Sequence, residues 1–310
     1  MLGVFLDRDS VGIDLEMSSL KTLDMDWQFY PYTDPGDVVT RCQNAEIIVT
    51  NKVVLSADVI AALPNLKLIV VAATGTNNVD LVAAKSRNIP VRNVVDYAGS
   101  SIAQLVFSYI LEFSTQSANY QRLVEEGKWA SSKTFCLMDY PMFELAGKTL
   151  LLVGYGNLAR SVEKIARAFD MEVVIAEHKG ASSIRQGRVA FDQAIQSADV
   201  ISLHCPLTDN THHLFSTAEF SQMKPTAILV NTARGGIVDE SALIDALKRG
   251  EIAGAATDVV SQEPAPKDLE IIREKPYNLI VTPHIAWASL EARQRLLSQI
   301  VEHCASHLSN

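Results

Sequence analysis

The sequence lacks several features that would each have pointed to a particular class. It has no CxxC pair: Cys42, Cys136, Cys205 and Cys304 lie far apart along 310 residues. That spacing favours free thiols in a reducing compartment over a disulfide frame or a zinc site. It has no basic block either. Lys and Arg number 27 against 36 Asp and Glu, a formal charge of −9, which argues against nucleic acid or an anionic membrane as a partner. Long apolar runs are missing as well. "MLGVFLDRDS" is interrupted by Asp7, Arg8 and Asp9 after six residues, too soon for a signal peptide or a membrane span. A cytoplasmic, soluble protein is the expectation. His303 and His307 sit four apart with no third ligand nearby, so no metal site is expected.

What remains is an ordinary globular composition, 48% hydrophobic and 20% charged, in a chain long enough for two domains. From Leu2 to Val94, short Val- and Ile-rich runs ("LGVFLD", "EIIVTN", "LKLIVVAAT", "IPVRNV") read as strands. Between them "DPGDVVTRCQNA", "SADVIAALP" and "NVDLVAAKSRN" have helical spacing behind Asp, Ser or Asn starts. Strand and helix in alternation predict a parallel sheet. A helical run of thirty residues follows, "SSIAQLVFSYILEFSTQSANYQRLVEEGKW", with Ser101 and Gln104 spaced as a capping box. Residues 130–145 read as an irregular arm. A second α/β series opens at "GKTLLLVGYG", and "SLEARQRLLSQIVEHCASHL" makes a terminal helix.

"VGYGNLAR" stands after an apolar strand and runs into a helix. That is the context a dinucleotide site requires. Gly154 would make the tight turn, Gly156 would allow close backbone approach, and the helix N–H groups would face a pyrophosphate. Ala159 stands where a third glycine is usual, at a position that governs helix–strand packing. Glu177, 21 residues after Gly156, ends the next strand. An acid there accepts ribose hydroxyls and repels a 2′-phosphate, which predicts NAD, although the adjacent cations His178 and Lys179 could meet a phosphate.

Three later strands end in polar residues: Arg234 in "NTARGG", Asp258 and Glu263 in "ATDVVSQEP", and His284 in "VTPHIAW". Ligands bind beyond the carboxyl ends of strands in open α/β sheets. A planar cation for a carboxylate or carbonyl, together with a histidine and an acid to move a proton, makes a chemical set. Taken singly, Arg234 could equally be a surface ion-pair residue, Glu263 a loop acid, and His284 a capping or core histidine. In "ATGTNNVD", the N–H groups around Gly75 and Thr76 could hold an anionic substrate, or the loop could be a plain connection.

These stretches, with "LHCPLT", occur in an order and spacing that resembles the D-isomer-specific 2-hydroxyacid dehydrogenases over almost the whole chain. The resemblance implies two Rossmann-like parallel-sheet α/β domains, one flavodoxin-like and one dinucleotide-binding. A substrate-binding domain of residues 1–98 and 286–310 would hold an inserted NAD-binding domain of residues 99–285, with hinges near 97–101 and 285–289. It implies His284 as proton donor and acceptor at the substrate C2 oxygen, Glu263 orienting it, and Arg234 gripping carboxylate and carbonyl beside the Gly75 and Thr76 amides. For the cofactor, it implies Gly154, Gly156, Asn157 and Leu158 at the pyrophosphate, Glu177 at the adenosine ribose, and Asp258 at the nicotinamide amide. Ser101, Thr232, Ala233 and His284 would line the nicotinamide.

The resemblance further implies a homodimer supported by the linking helix. Ala159 and Gln104 depart from the family pattern. Glu263 speaks against the formate dehydrogenase branch, and "TNK" at 50–52 with Trp287 is closer to glycerate dehydrogenases (hydroxypyruvate reductases). The implied activity is NAD-dependent interconversion of a small 2-oxo acid and its D-2-hydroxy acid, with glycerate/hydroxypyruvate or glyoxylate favoured. A phosphoglycerate or D-lactate dehydrogenase, and a dinucleotide-sensing corepressor-like binding protein, stay open as alternatives. The chain is expected to lack a regulatory domain.

Overall fold

The computed structural model describes residues 1–309. They form two compact units, one of residues 1–98 with 287–309 and one of residues 99–286, and each is an α/β sandwich around an all-parallel sheet.

The first unit contains β1 (Leu2–Phe5), β2 (Asp26–Phe29), β3 (Ile47–Thr50), β4 (Leu68–Val71) and β5 (Val91–Asn93) in the order β2-β1-β3-β4-β5. Every residue of β3 and β4 is buried, because a parallel sheet covered on both faces needs continuous apolar strands rather than alternating ones. β2 was not expected from the sequence. "DWQF" is an edge strand with half its positions exposed, so it lacks the apolar signature. Ser56 Oγ caps the helix Ala57–Ala61 by accepting from Val59 N (3.3 Å). Asp80 does the same for Leu81–Ser86 at Ala83 N (2.8 Å). The terminal helix Leu290–Leu308 belongs to this unit. It buries Leu296, Ile300 and Cys304, and the Gln299 amide brackets Val95, accepting from its N–H (3.1 Å) and donating to its C=O (2.8 Å).

The second unit contains β6 (Thr149–Val153), β7 (Glu172–Ile175), β8 (Val200–Leu203), β9 (Ile228–Asn231), β10 (Gly254–Thr257) and β11 (Leu279–Val281). Their order is β11-β10-β9-β8-β6-β7. Val189 bridges to Ala176 in parallel, a one-residue continuation of the sheet beyond β7. The winding direction therefore reverses between β6 and β8, which makes that gap the topological switch point. Phe191, Phe215, Phe220 and Ile237 fill the core on one face.

Two local expectations fail. The helical run after residue 98 is two helices, Gly99–Thr115 and Ser117–Glu125, because Gln116 between them is left-handed (φ 55°). No capping box forms at Ser101, which already lies inside the first turn and donates its hydroxyl to the Ala286 carbonyl (2.7 Å). Residues 130–145 carry no helix or strand. Among the described residues no helix is long and apolar enough to cross a membrane.

Candidate active site

The glycine loop closes the switch point. Gly154 has φ +86°, and a Cβ there would stand 2.6 Å from Cys205 N and 2.7 Å from the His204 carbonyl carbon. Both the backbone conformation and the close approach of the β8 loop therefore require glycine. Gly156 is different. It caps the helix Asn157–Ala168 in extended conformation, and a Cβ on it would meet no protein atom within 4 Å. Its lack of a side chain leaves space in front of the first-turn N–H groups of Asn157 and Leu158, where a helix end attracts an anion. Ala159 is fully buried, and its methyl is accommodated within the packing of this helix. The Tyr155 hydroxyl donates to the Glu163 carboxylate, which also accepts from Arg167 Nε (2.9 Å). This brace ties loop to helix and was not foreseen.

Glu177 follows β7 and is almost wholly buried. Its carboxylate accepts from His178 N (2.9 Å), Arg185 N (3.1 Å) and Arg185 Nε (2.8 Å), and from Arg185 Nη2. The Arg185 guanidinium, aided by the two backbone donors, holds this carboxyl far below the usual range. Sequence adjacency points to His178 and Lys179 as the neighbouring cations. Lys179 instead pairs with buried Glu219 (2.6 Å). Arg185 reaches Glu177 because the chain turns back at Gly180 and Gly187 (φ +73° and +77°) to the Val189 bridge, a return invisible at adjacent positions.

At the end of β9, Thr232 Oγ1 is buried without a hydrogen-bond partner, beside half-buried Ala233. An orphaned hydroxyl at a strand's carboxyl end fits a ligand that supplies its partner. With the open space at Gly156, it makes this edge fit a nicotinamide dinucleotide. Asp258 is buried and accepts from Thr282 Oγ1 (2.5 Å), Ile285 N (2.8 Å) and Ala286 N (2.7 Å). Three of a carboxylate's roughly four acceptor sites are thus taken, so it clamps the β11 loop with one site left. Tyr109 of the linking helix lies 2.5 Å from Thr282 Oγ1. Since that hydroxyl donates to Asp258, it accepts from Tyr109.

Arg234, Glu263 and His284 stand at the carboxyl ends of the neighbouring strands β9, β10 and β11. His284 Nδ1 lies 2.6 Å from Glu263 Oε2, and Glu263 Oε1 accepts from Val260 N (3.1 Å), so the carboxylate is held from both sides. His284 has a left-handed backbone (φ 56°), and its N–H donates to the Asp258 carbonyl (2.8 Å). A non-glycine residue costs of order 1 kcal/mol there, and such strain clusters at functional sites. The Arg234 loop is braced by buried Asn231, which accepts from Ala233 N and donates to the Arg234 carbonyl, both at 3.0 Å. A Cβ on Gly235 would stand 2.0 Å from the Val260 carbonyl carbon, so glycine there lets the Arg234 turn lie on the Glu263 loop. The exposed Arg234 guanidinium donates to the Ala233 carbonyl (2.7 Å) and has no carboxylate in ion-pair range among the described residues, which disfavours a structural ion-pair role.

Asn231, Thr282 and Tyr109 escaped the sequence reading. The only signal for them was polarity inside or beside strands otherwise apolar. His204, whose backbone packs on Gly154, has its imidazole lowered to about 4 by burial and lies 2.8 Å from Ser202 Oγ. In the first unit, Gly75 and Thr76 sit on the turn after β4. The Thr74 hydroxyl donates to the Val94 carbonyl (3.0 Å), and Val79 N donates to the Thr76 carbonyl (3.0 Å).

Residues 107–286 match the family model for the D-isomer specific 2-hydroxyacid dehydrogenase, NAD binding domain. A glycerate dehydrogenase of Methylorubrum extorquens is 42% identical over 304 residues, covering 97% of this chain and 94% of that one. A hydroxypyruvate reductase of Blautia hydrogenotrophica is 36% identical over 279 residues, covering 89% and 86%. Among solved structures, D-lactate dehydrogenase from Aquifex aeolicus complexed with NAD and lactic acid superposes with a TM-score of 0.81 at 27% identity, covering 99% and 95%. With a parallel two-sheet fold, a glycine loop at the switch point and identity above 40% along nearly its whole length, this chain is an NAD-dependent oxidoreductase that belongs to the D-isomer specific 2-hydroxyacid dehydrogenase family.

Proposed function

We propose that the chain interconverts a small 2-oxo acid and its D-2-hydroxy acid, with hydroxypyruvate/glycerate or glyoxylate as the substrate pair. The observation that carries this reading is the 2.6 Å His284–Glu263 pair, with an acid-free arginine on the adjoining strand end. A bound NADH would supply the hydride for C2. His284, with Nδ1 engaged by Glu263, delivers a proton from Nε2 to the developing C2 alkoxide, and in oxidation takes it back. Glu263 orients the ring through the 2.6 Å contact at Nδ1. Arg234 offers a planar fork to the substrate carboxylate and carbonyl, polarising C2. Gly154, Gly156, Asn157 and Leu158 take the pyrophosphate, Glu177 the adenosine ribose edge, and Ser101, Thr232, Ala233 and Asp258 the nicotinamide side. The names of the two curated relatives favour the three-carbon hydroxy substrate.

The test is initial-rate NADH oxidation with hydroxypyruvate, glyoxylate, pyruvate and phosphohydroxypyruvate. Hydroxypyruvate and glyoxylate should lead in kcat/KM. Preference for phosphohydroxypyruvate or pyruvate would move the chain to another substrate branch, and no turnover with any of them would favour the corepressor-like reading. His284→Ala should lower turnover about 10²- to 10⁴-fold with NADH binding retained.

The reading extends to a cytoplasmic homodimer. Trp129, Phe135, Met138, Met142 and Phe143 are all exposed along the segment after the second helix. Such a cluster of large apolar side chains is what a self-association surface supplies. Molar mass by light scattering should give twice 33.9 kDa; a monomer for the wild type would remove this part.

A further inference from the structure

Glu177 stands where an acid selects between the two nicotinamide dinucleotides, yet its carboxylate has little left to select with. A carboxylate offers about four acceptor sites. Here four donors occupy them: the N–H of His178 and of Arg185, and both Nε and Nη2 of the Arg185 side chain. Ribose hydroxyls can bond to Glu177 only by displacing Arg185. The charge that would repel a 2′-phosphate is also cancelled, because a guanidinium lies directly on it. Arg185 itself is 53% exposed. It is also the basic side chain paired with Glu177. Lys179 is committed to Glu219 at 2.6 Å, and Arg188 Nη1 is spent on the Ala176 carbonyl at 3.1 Å.

From this we propose that Arg185 is a coenzyme-specificity residue, whose half-exposed guanidinium, held in place by Glu177, receives the 2′-phosphate so that the chain takes NADP(H) as well as NAD(H). Glu177 then works in two ways. For NADP(H) it is the anchor that orients the arginine fork, whose remaining N–H donors meet phosphate oxygens in the geometry guanidinium favours. For NAD(H) it is an acceptor that becomes available when Arg185 swings out to solvent. The inference rests on the reading that the glycine loop holds a dinucleotide.

The test measures direct binding, so that it does not depend on turnover: dissociation constants of NADH and NADPH by titration calorimetry, for the wild type and two variants. The wild type should bind the two within about tenfold of each other. Arg185→Ala should weaken NADPH by about tenfold or more, the loss of a charge-assisted contact, while NADH is unchanged or tighter because Glu177 is released. Glu177→Gln should shift the ratio toward NADPH, and its retained NADPH binding would show that the pocket still folds. A wild-type preference for NADH beyond about a hundredfold, or an Arg185→Ala variant whose NADPH-to-NADH ratio stays within about threefold of wild type, overturns the proposal. Binding of neither coenzyme would overturn the dinucleotide reading itself and this inference with it.

Discussion

The two sheets have closely related windings, and each has a gap where the strand order reverses, but they treat that gap in opposite ways. In the first, between β1 and β3, Asp7 reaches across from the end of β1. Its carboxylate accepts from Asn51 N (2.9 Å), Lys52 N (2.6 Å) and Val53 N (3.3 Å). The crevice is filled by the protein's own acid. In the second, between β6 and β8, the corresponding loop carries Gly154 and Gly156. One glycine lets the neighbouring backbone in, and the other leaves open space before a helix end. Topology makes the crevice in both; whether a ligand can use it depends on one or two side chains at the strand ends. This is why the position of a switch point suggests a site but does not establish one.

That contrast can be broken by experiment. The largest effect is expected at the edge of the second sheet. Arg234→Lys keeps the charge but loses the planar fork, and kcat/KM for 2-oxo acid reduction should fall about 10²-fold, with NADH affinity within about threefold of wild type. Near-normal turnover would mean that the reactive edge lies elsewhere.

The two glycines should then separate. Gly154→Ala adds a methyl in a left-handed conformation against the Cys205 backbone, so denaturant titration should show a loss of about 2–4 kcal/mol. Gly156→Ala should leave stability unchanged and weaken NADH roughly tenfold, because its methyl enters the open space proposed for the pyrophosphate. Equal effects from both would erase the distinction between packing glycine and binding glycine.

In the first sheet, Asp7→Ala leaves three N–H groups without their acceptor. A destabilisation of about 1–3 kcal/mol is expected, with the NADH dissociation constant unmoved. A lost NADH site would mean that the first crevice is coupled to the second.

The last effect comes from protons. Burial pushes the His204 imidazole down to about 4 in the folded chain, against about 6.5 unfolded. Between those values the unfolded chain binds the extra proton, so stability should fall as pH drops from about 6.5 toward 4, by on the order of 1–3 kcal/mol. In His204→Asn this component of the pH dependence should vanish from urea titrations.

How much of this was legible beforehand follows from where the information lies. Strands β3, β4, β6, β8 and β9 were readable because sheets covered on both faces require continuous apolar runs. The glycine loop was readable because turn, helix start and acidic strand end sit at fixed offsets. β2 was not, since an edge strand need not be apolar. The break at Gln116 was not, because a single left-handed residue leaves helical periodicity intact on either side. At the site, Arg234, Glu263 and His284 could be singled out because each ends a strand. Their supports could not. Asn231 and Thr282 are single polar residues within or beside apolar strands, and Arg185 meets Glu177 only through the return of a loop. Glu177 is the instructive case. Its place at a strand end was legible and its ion-pair partner was not, since sequence adjacency points to Lys179 and the fold delivers Arg185.

The hydrogen bond from Ser101 to the Ala286 carbonyl, with the grip of Asp258 on the Ala286 N–H, has a consequence for how the chain assembles. Both ends of the inserted unit are pinned side by side within that unit. The first unit needs contacts across more than two hundred residues, such as Gln299 with Val95, and closing so long a loop in an unfolded chain carries a large entropic penalty. Once residues 99–286 have folded, their ends meet, and that long loop becomes a short detour. The terminal helix can then find β4 as though it followed directly in sequence.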